Sequence, residues 1–305
     1  VILEASSHAL DQERFKGIKF NTSGFTNLSR DHFDYHNNIN KYFEAKLKLF
    51  SKNLSDKFVY IDSEWGNKVK ENSVIPSFKI GNNNDSNLRI LEEKLFPNIN
   101  LKIQINEDKH DINLNVTGPN FNLNFLLALS MAYFSEKSDI QNYEQNFRNI
   151  QNPKGRFEII NFKSNKIVVD YAHTPDAIKT TVDFVTQYFS SVIVVFGAGG
   201  DRDIEKRLLM GNASKNADQI IITNDNPRHE DPEKIAKDIL EGCDKEKTVV
   251  ILDRKEAITY GINQLKENSV LLVLGKGHEM HQEIKNKKIN FNDFEYISDL
   301  LGDIN

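Results

Sequence analysis

Two aspartates and two histidines lie within seven residues, in the string RDHFDYH at residues 30–36. Carboxylate and imidazole groups at this density can bind a divalent metal ion, but their spacing matches no helical or finger-type zinc motif. Histidine also suits manganese or zinc better than magnesium, which prefers oxygen ligands. A solvated loop whose aspartate caps the next helix explains the string equally well. The spacing therefore leaves a metal site and a capped loop as open alternatives.

Lys46 falls on the apolar stripe of a predicted helix over residues 39–50, whereas Lys41, Lys48 and Lys52 fall outside that stripe. A lysine stem commonly packs along a core while its ammonium group reaches water. The alternative is a partly desolvated amine with a lowered pKa, which can react as a neutral nucleophile. The helical pattern alone favours the packed stem, because buried lysines are rare.

Four polar motifs each follow a predicted buried strand in the second half of the chain. They are DYAHTPD at 170–176, GAGGDRD at 197–203, TNDNPRHEDP at 223–232 and GKGHE at 275–279. Ligands of open parallel sheets bind at the carboxyl ends of the strands, so these motifs mark the expected binding edge. Arg228 could clamp a carboxylate with two hydrogen bonds, and Asp170 and His173 could contact a ribose or a phosphate. Each motif taken alone is also explained as a turn or a helix cap.

Three familiar motifs are incomplete in this sequence. GAGGDRD has Arg202 where the dinucleotide fingerprint needs its third glycine, and no phosphate-loop string of the type G-x-x-x-x-G-K-[ST] occurs. Ser6 and Ser7 lack the G-x-S-x-G surroundings of a serine nucleophile. None of the three motifs by itself indicates an activity.

Length and composition limit the class of protein. The 305 residues suggest about two domains, and 39 basic against 44 acidic residues give a net charge of −5, which offers no electrostatic case for nucleic-acid binding. The longest apolar stretch, residues 125–134, is far shorter than the roughly 20 residues of a membrane helix. A single cysteine, Cys243, excludes an intramolecular disulfide and fits the reducing cytoplasm. The first residue is valine, so we expect the chain to be part of a longer protein.

The first half of the chain has a mixed pattern. Besides the helix over 39–50, it predicts a strand at 57–62 and a buried helix at 123–135. Residues 66–115 are rich in asparagine and lysine, and their alternating segments predict short strands, as in a β-meander. The turn-rich string QNPKG at 151–155 predicts a domain boundary, with domains at 1–151 and 152–305.

The second half alternates regularly between strands and helices. Continuous β-branched runs predict buried strands at 166–171, 191–196, 218–223, 248–252 and 269–274. The segments between them predict helices at 175–189, 205–215, 232–241 and 255–266. This alternation is typical of an α/β fold with a doubly wound parallel sheet.

Seven strings occur in order over nearly the whole chain. They are EASSHALDQERFKG, FTNLSRDHFDYHNNINKYFEAKLKLF, GRFE, DYAHTPDA, FGAGGDRDIEKR, NDNPRHEDP and GKGHE. Together they resemble the Mur ligases of bacterial cell-wall synthesis, and within them the branch that adds a diamino acid. The resemblance implies a truncated central ATP-binding domain followed by a Rossmann-like amino-acid-binding domain. It also implies an ATP-dependent amide-bond ligase that works through an acyl phosphate.

The resemblance implies a role for each matching residue. Glu4 and His32 would bind Mg²⁺ near the ATP phosphates, and a carbamylated Lys46 would help to hold the metal. The UDP-sugar peptide would contact Ser6, Gln12 and Arg14. Residues implied for ATP are Asn122 or Asn124, Arg156, Asp170 and His173. Residues implied for the amino-acid pocket are Arg202, Asp225, Asn226, Pro227, Arg228, Gly275 and Glu279.

Arg228 indicates which amino acid is added. Diaminopimelate has a second amino-acid head whose carboxylate a guanidinium can bind, and the lysine-adding Mur ligases lack an arginine at this place. The resemblance thus implies addition of meso-diaminopimelate to UDP-N-acetylmuramoyl-L-alanyl-D-glutamate in peptidoglycan precursor synthesis. The residues alone leave two other classes open, a metal-dependent hydrolase built on RDHFDYH and a non-catalytic nucleotide-binding module.

The sequence departs from the family pattern in two places. The family's phosphate loop, G-T-[NG]-G-K-[ST], and its uridine-binding domain are not among the 305 residues. We therefore expect this chain by itself to be inactive and to bind ATP weakly. The family's adenine-contacting asparagine belongs to a string that here reads GPNFNLN, so Asn122 and Asn124 both remain possible.

Overall fold

The computed structural model describes residues 1–136, 140–285 and 287–304. The chain forms two compact units, Val1–Gln151 and Asn152–Asn305. No helix in the described ranges is long and apolar enough to cross a membrane.

The first unit is a six-stranded sheet with helices. Its elements are α1 (Ser7–Asp11), β1 (Phe20–Phe25), α2 (Phe33–His36), α3 (Ile39–Leu47), β2 (Ser55–Ile61), α4 (Glu64–Glu71), β3 (Ser77–Gly81), β4 (Leu88–Lys94), β5 (Ile99–Ile105), β6 (Asp108–Leu114), α5 (Phe121–Glu136) and α6 (Gln141–Phe147). The strand order is β1-β2-β3-β4-β5-β6. The strands from β1 to β4 pair in parallel, and β4, β5 and β6 pair antiparallel.

Both faces of this sheet carry a hydrophobic core. Along β5 every second side chain is buried, as a strand with one covered face requires. On β2, Val59 packs into the core that includes Leu126 of α5, whereas Phe58 and Tyr60 pack into the core that includes Tyr42 of α3. Successive side chains of a strand point to opposite faces, so α5 and α3 cover opposite sides of the sheet.

The predictions for the first half are confirmed in part. The helix over 39–50 is present as α3, followed by a 3₁₀ turn at Lys48–Phe50, and the buried helix and the β-meander are α5 and the strands β4 to β6. The sequence did not indicate α4, which begins the stretch rich in asparagine and lysine. The hydroxyl of Ser63 caps α4 by accepting a hydrogen bond from Gly66 N at 3.1 Å, and Val69 is buried beneath it.

The second unit is an α/β layer structure. Its elements are β7 (Glu158–Phe162), β8 (Asn165–Asp170), α7 (Pro175–Val185), β9 (Ser191–Phe196), α8 (Lys206–Ala213), β10 (Gln219–Ile222), α9 (Pro232–Leu240), β11 (Thr248–Val250), α10 (Arg254–Asn263), β12 (Ser269–Leu274), β13 (His281–Ile284), β14 (Lys287–Asn290) and α11 (Asp293–Ile304). The strand order is β11-β10-β9-β12-β8-β7, and all pairings are parallel except that of β7 with β8. A hairpin of β13 and β14 lies outside this sheet.

The doubly wound parallel sheet and its five predicted strands are confirmed. The central strands β9 and β12 are buried along almost their whole length, which explains their continuous apolar sequences. Thr174 and Asp231 cap α7 and α9, and a proline follows each cap at the first helical position. The sequence did not indicate β7, the hairpin or α11.

Candidate functional site

Lys46 lies near the end of α3 in a partly buried position. Its Nζ is 5.1 Å from the centroid of the Tyr42 ring. Burial lowers the pKa of Lys46, and the negative charges of Glu4 and Asp31 oppose that shift only in part. The amine therefore loses its proton more readily than an exposed lysine does. Lys41 and Lys48 on the same stretch are exposed, in line with the predicted stripe.

His32 lies directly before α2 and adopts a backbone φ of 57°. The carboxylate of Asp31 accepts a hydrogen bond from His32 N at 2.9 Å and lies 3.5 Å from the imidazole Nε2. Burial lowers the pKa of His32, with a smaller lowering by the positive charge of Lys46. His32 and Lys46 are thus close enough to influence each other, and a neutral imidazole can bind a metal ion.

Glu4 and Lys46 line one cavity of about 870 Å³. The cavity also borders β1 and the α5 residues Leu127 and Met131. Among the described residues, no three histidine, cysteine, aspartate or glutamate side chains are grouped to hold a metal ion. The predicted ligand set has only two such residues, Glu4 and His32, and therefore depends on a modified Lys46.

The two histidines of RDHFDYH have different surroundings. His36 is buried, lies 2.9 Å from the Ser7 hydroxyl through Nε2, and stacks on Tyr42 at a centroid distance of 5.2 Å. The partly exposed His32 instead packs edge-to-face on His8, with centroids 4.9 Å apart. His36 is therefore a packing residue.

The three residues assigned to the UDP-sugar peptide flank α1. The hydroxyl of Ser6 caps this helix by accepting a hydrogen bond from Ala9 N at 3.2 Å. Gln12 donates to the hydroxyl of Tyr35 at 3.4 Å, and Arg14 is exposed. The structure thus places all three around one short helix.

The two candidate adenine contacts differ in exposure. Asn122 is buried, and its amide donates a hydrogen bond to Glu93 at 2.7 Å. Asn124, two residues further along α5, is exposed. Asn122 therefore has a structural partner within the unit, and Asn124 presents its side chain to solvent.

In the second unit, the loops after β9, β10 and β12 meet at one edge of the sheet. A Cβ atom on Gly275 would lie 2.7 Å from the Asp225 carboxylate, and one on Gly199 would lie 2.9 Å from Nη1 of Arg228. Gly275 also has a φ of 109°, which side chains rarely adopt. The structure therefore brings together the three motifs GAGGDRD, TNDNPRHEDP and GKGHE.

Two of the predicted pocket residues are joined directly. The amide of the buried Asn226 donates a hydrogen bond to Oε2 of Glu279 at 2.8 Å. Burial alone would raise the pKa of Glu279, but hydrogen bonds from Lys276 and Asn226 outweigh it and hold the pKa below its ordinary value. Glu279 therefore keeps its negative charge beside Asn226.

Arg228 is tied to the hairpin that the sequence did not indicate. Its main chain accepts from Lys285 N at 2.8 Å and donates to Glu283 O at 3.1 Å. In its guanidinium, Nη1 donates to Gly200 O at 2.6 Å, and Nε lies 3.4 Å from the Glu283 carboxylate. The side chain of Arg202 is exposed, and its Nη1 donates a hydrogen bond to Asp201 O. Glu283 is thus a site neighbour that only the hairpin reveals.

The residues assigned to ATP in this unit lie around the end of β8. The Arg156 guanidinium stacks over Tyr171 with Cζ 4.4 Å from the ring centroid, and His173 Nδ1 lies 2.8 Å from Tyr171 O. The carboxylate of Asp170 accepts hydrogen bonds from Phe157 N at 2.7 Å and Ala172 N at 2.8 Å. Burial raises the pKa of Asp170. Asp170 therefore links the GRFE string to the end of β8 by a hydrogen bond.

Comparisons with known proteins match both halves of the chain. A model of the Mur ligase middle domain matches residues 1–132, and a model of the Mur ligase glutamate ligase domain matches residues 155–277. A solved structure titled UDP-N-acetylmuramoyl-L-alanyl-D-glutamate–2,6-diaminopimelate ligase is 31% identical with a TM-score of 0.63, and the match covers 99% of this chain and 64% of that one.

Curated relatives carry the same name. The protein from Rickettsia conorii is 41% identical over 97% of this chain and 63% of the relative, and the one from Aquifex aeolicus is 38% identical over 99% and 63%. The chain thus spans less than two thirds of the length of these relatives. Because both halves match Mur ligase domains and nearly every residue aligns with these ligases, the resemblance is confirmed and the chain belongs to the Mur ligase family.

Proposed function

We propose that the protein containing this chain is an ATP-dependent amide ligase that adds meso-diaminopimelate to UDP-N-acetylmuramoyl-L-alanyl-D-glutamate. The observation that carries the proposal is the edge of the second sheet, where Asn226 bonds Glu279 and Arg228 lies two residues further along the same loop, in a chain of the Mur ligase family. Two relatives named for this reaction support it. The cytoplasm is the proposed location, because the nucleotide-linked substrates and a lone cysteine fit a reducing compartment.

The amino-acid pocket offers charges that complement diaminopimelate. Arg228 provides guanidinium donors for the carboxylate of the distal head, and Gly275 leaves room for the Asp225 carboxylate. Asp225 and Glu279 provide carboxylates that can accept from ammonium groups. Lysine lacks the distal carboxylate, so Arg228 would discriminate against it.

Magnesium and a carbamylated Lys46 are proposed for the first unit. Glu4 contributes a carboxylate and His32 an imidazole, and burial keeps more of the Lys46 amine neutral, which is the form that captures carbon dioxide. The resulting carbamate would add oxygen ligands, which magnesium prefers, to the carboxylate oxygens of Glu4. When bound, magnesium supplies charge neutralisation for phosphoryl transfer.

ATP is the proposed co-substrate. Arg156 offers a cation beside the aromatic face of Tyr171, and His173 lies on the same strand end. Asn122 or Asn124 would contact adenine. The exposed side chain makes Asn124 the favoured candidate. Ser6, Gln12 and Arg14, around α1, would hold the UDP-sugar peptide.

The proposed reaction has two steps. A carboxylate oxygen of the dipeptide attacks the γ-phosphorus of ATP, and ADP leaves. The neutral amine of diaminopimelate then attacks the acyl carbon, phosphate leaves, and the new amide nitrogen loses a proton. The pocket residues contribute mainly by orienting the amine and excluding unproductive poses.

A phosphate-release assay on the full-length protein tests this function. We expect ATP-dependent phosphate release only when both the UDP-muramoyl dipeptide and diaminopimelate are present. Turnover without ATP would instead identify a metal-dependent hydrolase, and nucleotide binding without phosphate release would identify a non-catalytic module. Release with lysine as efficient as with diaminopimelate would contradict the assignment of the amino acid.

A further inference from the structure

Lys276 in the GKGHE string is a fully buried lysine to which the proposed function gives no role. Its Nζ donates to Oε2 of Glu279 at 2.8 Å, to His281 O at 2.8 Å and to Oδ1 of Asn226 at 3.3 Å. An ammonium group has three donors, so this set engages all of them. Lys276 therefore has no donor left for a substrate, and any effect on the reaction must pass through its neighbours.

Burying an ammonium group is costly unless it is paired and fully hydrogen-bonded. The carboxylate of Glu279 meets that requirement and is itself 30% exposed, whereas the Lys276 side chain is 0% exposed. The lysine of this ion pair is thus fully buried, whereas the carboxylate of Glu279 is partly exposed among the residues predicted for the amino-acid pocket.

The same lysine also fixes the orientation of the Asn226 amide. An ammonium group can only donate, so the oxygen of this amide must face it. That oxygen also accepts a hydrogen bond from Glu283 N at 2.9 Å, and the amide nitrogen then points to Glu279. Lys276 therefore bonds two pocket side chains at once, and together with Glu283 N it holds the Asn226 oxygen.

We propose that Lys276 is a positioning residue of the amino-acid pocket, which holds the Glu279 carboxylate and the Asn226 amide in the orientation that receives diaminopimelate. The inference rests on the proposed function and deepens it. A lysine placed only for stability would not need to bond two side chains that face the ligand, and main-chain carbonyls alone would satisfy it.

The charge of Lys276 also sets the protonation of Glu279. Arg254 at the start of α10 is a further cation near Glu279, and the positive charge of a protonated His281 on the hairpin would also lower the pKa of Glu279. Removing Lys276 deletes the nearest of them, so the pKa of Glu279 rises and the carboxylate becomes neutral at a higher pH. Activity that depends on an anionic Glu279 is then lost earlier as the pH falls.

The test compares Lys276→Met with the wild type in the full-length protein. We expect the KM for diaminopimelate to rise about tenfold or more, as for lost hydrogen bonds to charged groups, with the KM for ATP unchanged. The acid limb of the kcat/KM profile for diaminopimelate should move to higher pH. Lys57→Met is the control, because Lys57 is a half-buried lysine of the first unit that bonds the main-chain oxygen of Phe134.

A second variant guards against misfolding. Lys276→Gln retains donors but not the charge, so it should show the same shift of the acid limb. In the background of Glu279→Gln, removing Lys276 should change the KM for diaminopimelate far less than it does in the wild type. The positioning role would be overturned if removing Lys276 raised the KM for diaminopimelate by the same factor in the Glu279→Gln background as in the wild type. An acid limb that does not shift would overturn it as well. If diaminopimelate did not stimulate phosphate release by the wild-type protein, the proposed function itself would be refuted.

Discussion

Single side chains determine the chemistry proposed for each unit. The apolar stripe distinguished Lys46 from its neighbours in the sequence, and the structure agrees that Lys46 is partly buried while Lys41 is exposed. The sequence could not indicate that Lys276 is buried, because its position in a glycine-rich loop predicts exposure. The reason lies in the tertiary fold, where the hairpin residue His281 and Asn226 surround the ammonium group.

Replacing Arg228 by alanine should affect the kinetics of diaminopimelate and of ATP differently. We expect kcat/KM for diaminopimelate to fall by about 10- to 100-fold, the effect of losing charge-assisted hydrogen bonds to a carboxylate. The KM for ATP should stay unchanged. Steady-state kinetics on the full-length protein measure both, and an unaltered kcat/KM would show that Arg228 does not recognise the distal head.

Lys46 provides a prediction about pH. The carbamate forms from the neutral amine, so it should be lost as the pH falls and the amine is protonated. Burial lowers the pKa of Lys46, which extends the carbamylated range toward neutral pH. Intact-protein mass spectrometry should detect the added group at alkaline pH, in the presence of bicarbonate, and not after acidification.

The matched variants for this prediction lie on one helix. Lys46→Arg cannot form a carbamate and should lower kcat by about 100-fold or more, since transition-state charge stabilisation is lost. Lys41→Arg, at an exposed position of α3, should leave kcat unchanged. An active enzyme with an unmodified Lys46 would refute the carbamate.

At the scale of helices and strands, the sequence predicted what periodicity and caps encode. The buried strands β9 and β12 have continuous apolar sequences, and α7 begins at a threonine–proline cap. The hairpin of β13 and β14 escaped prediction because its side chains are half-buried or exposed and show little apolar alternation. The motifs after the strands were visible in the sequence, but Glu283 was not, since only the hairpin brings it to Arg228.

The ion pair of Arg254 and Asp293 should matter for the stability of the second unit. Two hydrogen bonds of 2.7 Å join these side chains, both of which are buried. Arg254 also bonds the carbonyls of Asn224 and Leu274, just before two of the pocket loops. Arg254→Met should lower the free energy of unfolding by about 3–5 kcal/mol, because it leaves Asp293 buried without its partner.

Chemical denaturation of the full-length protein measures this loss. The double variant Arg254→Met, Asp293→Asn should recover part of it, because the remaining amide carries no charge. Equal stability of Arg254→Met and wild type would mean that solvent reaches Asp293 and replaces the arginine.

At the scale of the whole molecule, the limiting fact is the span of the chain relative to its family. The 305 residues contain no phosphate-loop string, and they cover about 63% of the aligned relatives. Backbone amides of such a loop usually bind the ATP phosphates. We therefore expect the 305-residue chain alone to show no ATP-dependent phosphate release and weak ATP binding by calorimetry. Turnover equal to that of the full-length protein would contradict this expectation.

One backbone contact has a thermodynamic consequence. Gly155, beside the ATP-assigned Arg156, packs so closely on the GKGHE loop that an added Cβ would lie 2.0 Å from His278 N. If binding at either loop shifts this contact, each ligand must change the affinity of the other by the same factor. The contact between Gly155 and Gly277 would then couple nucleotide binding to amino-acid binding.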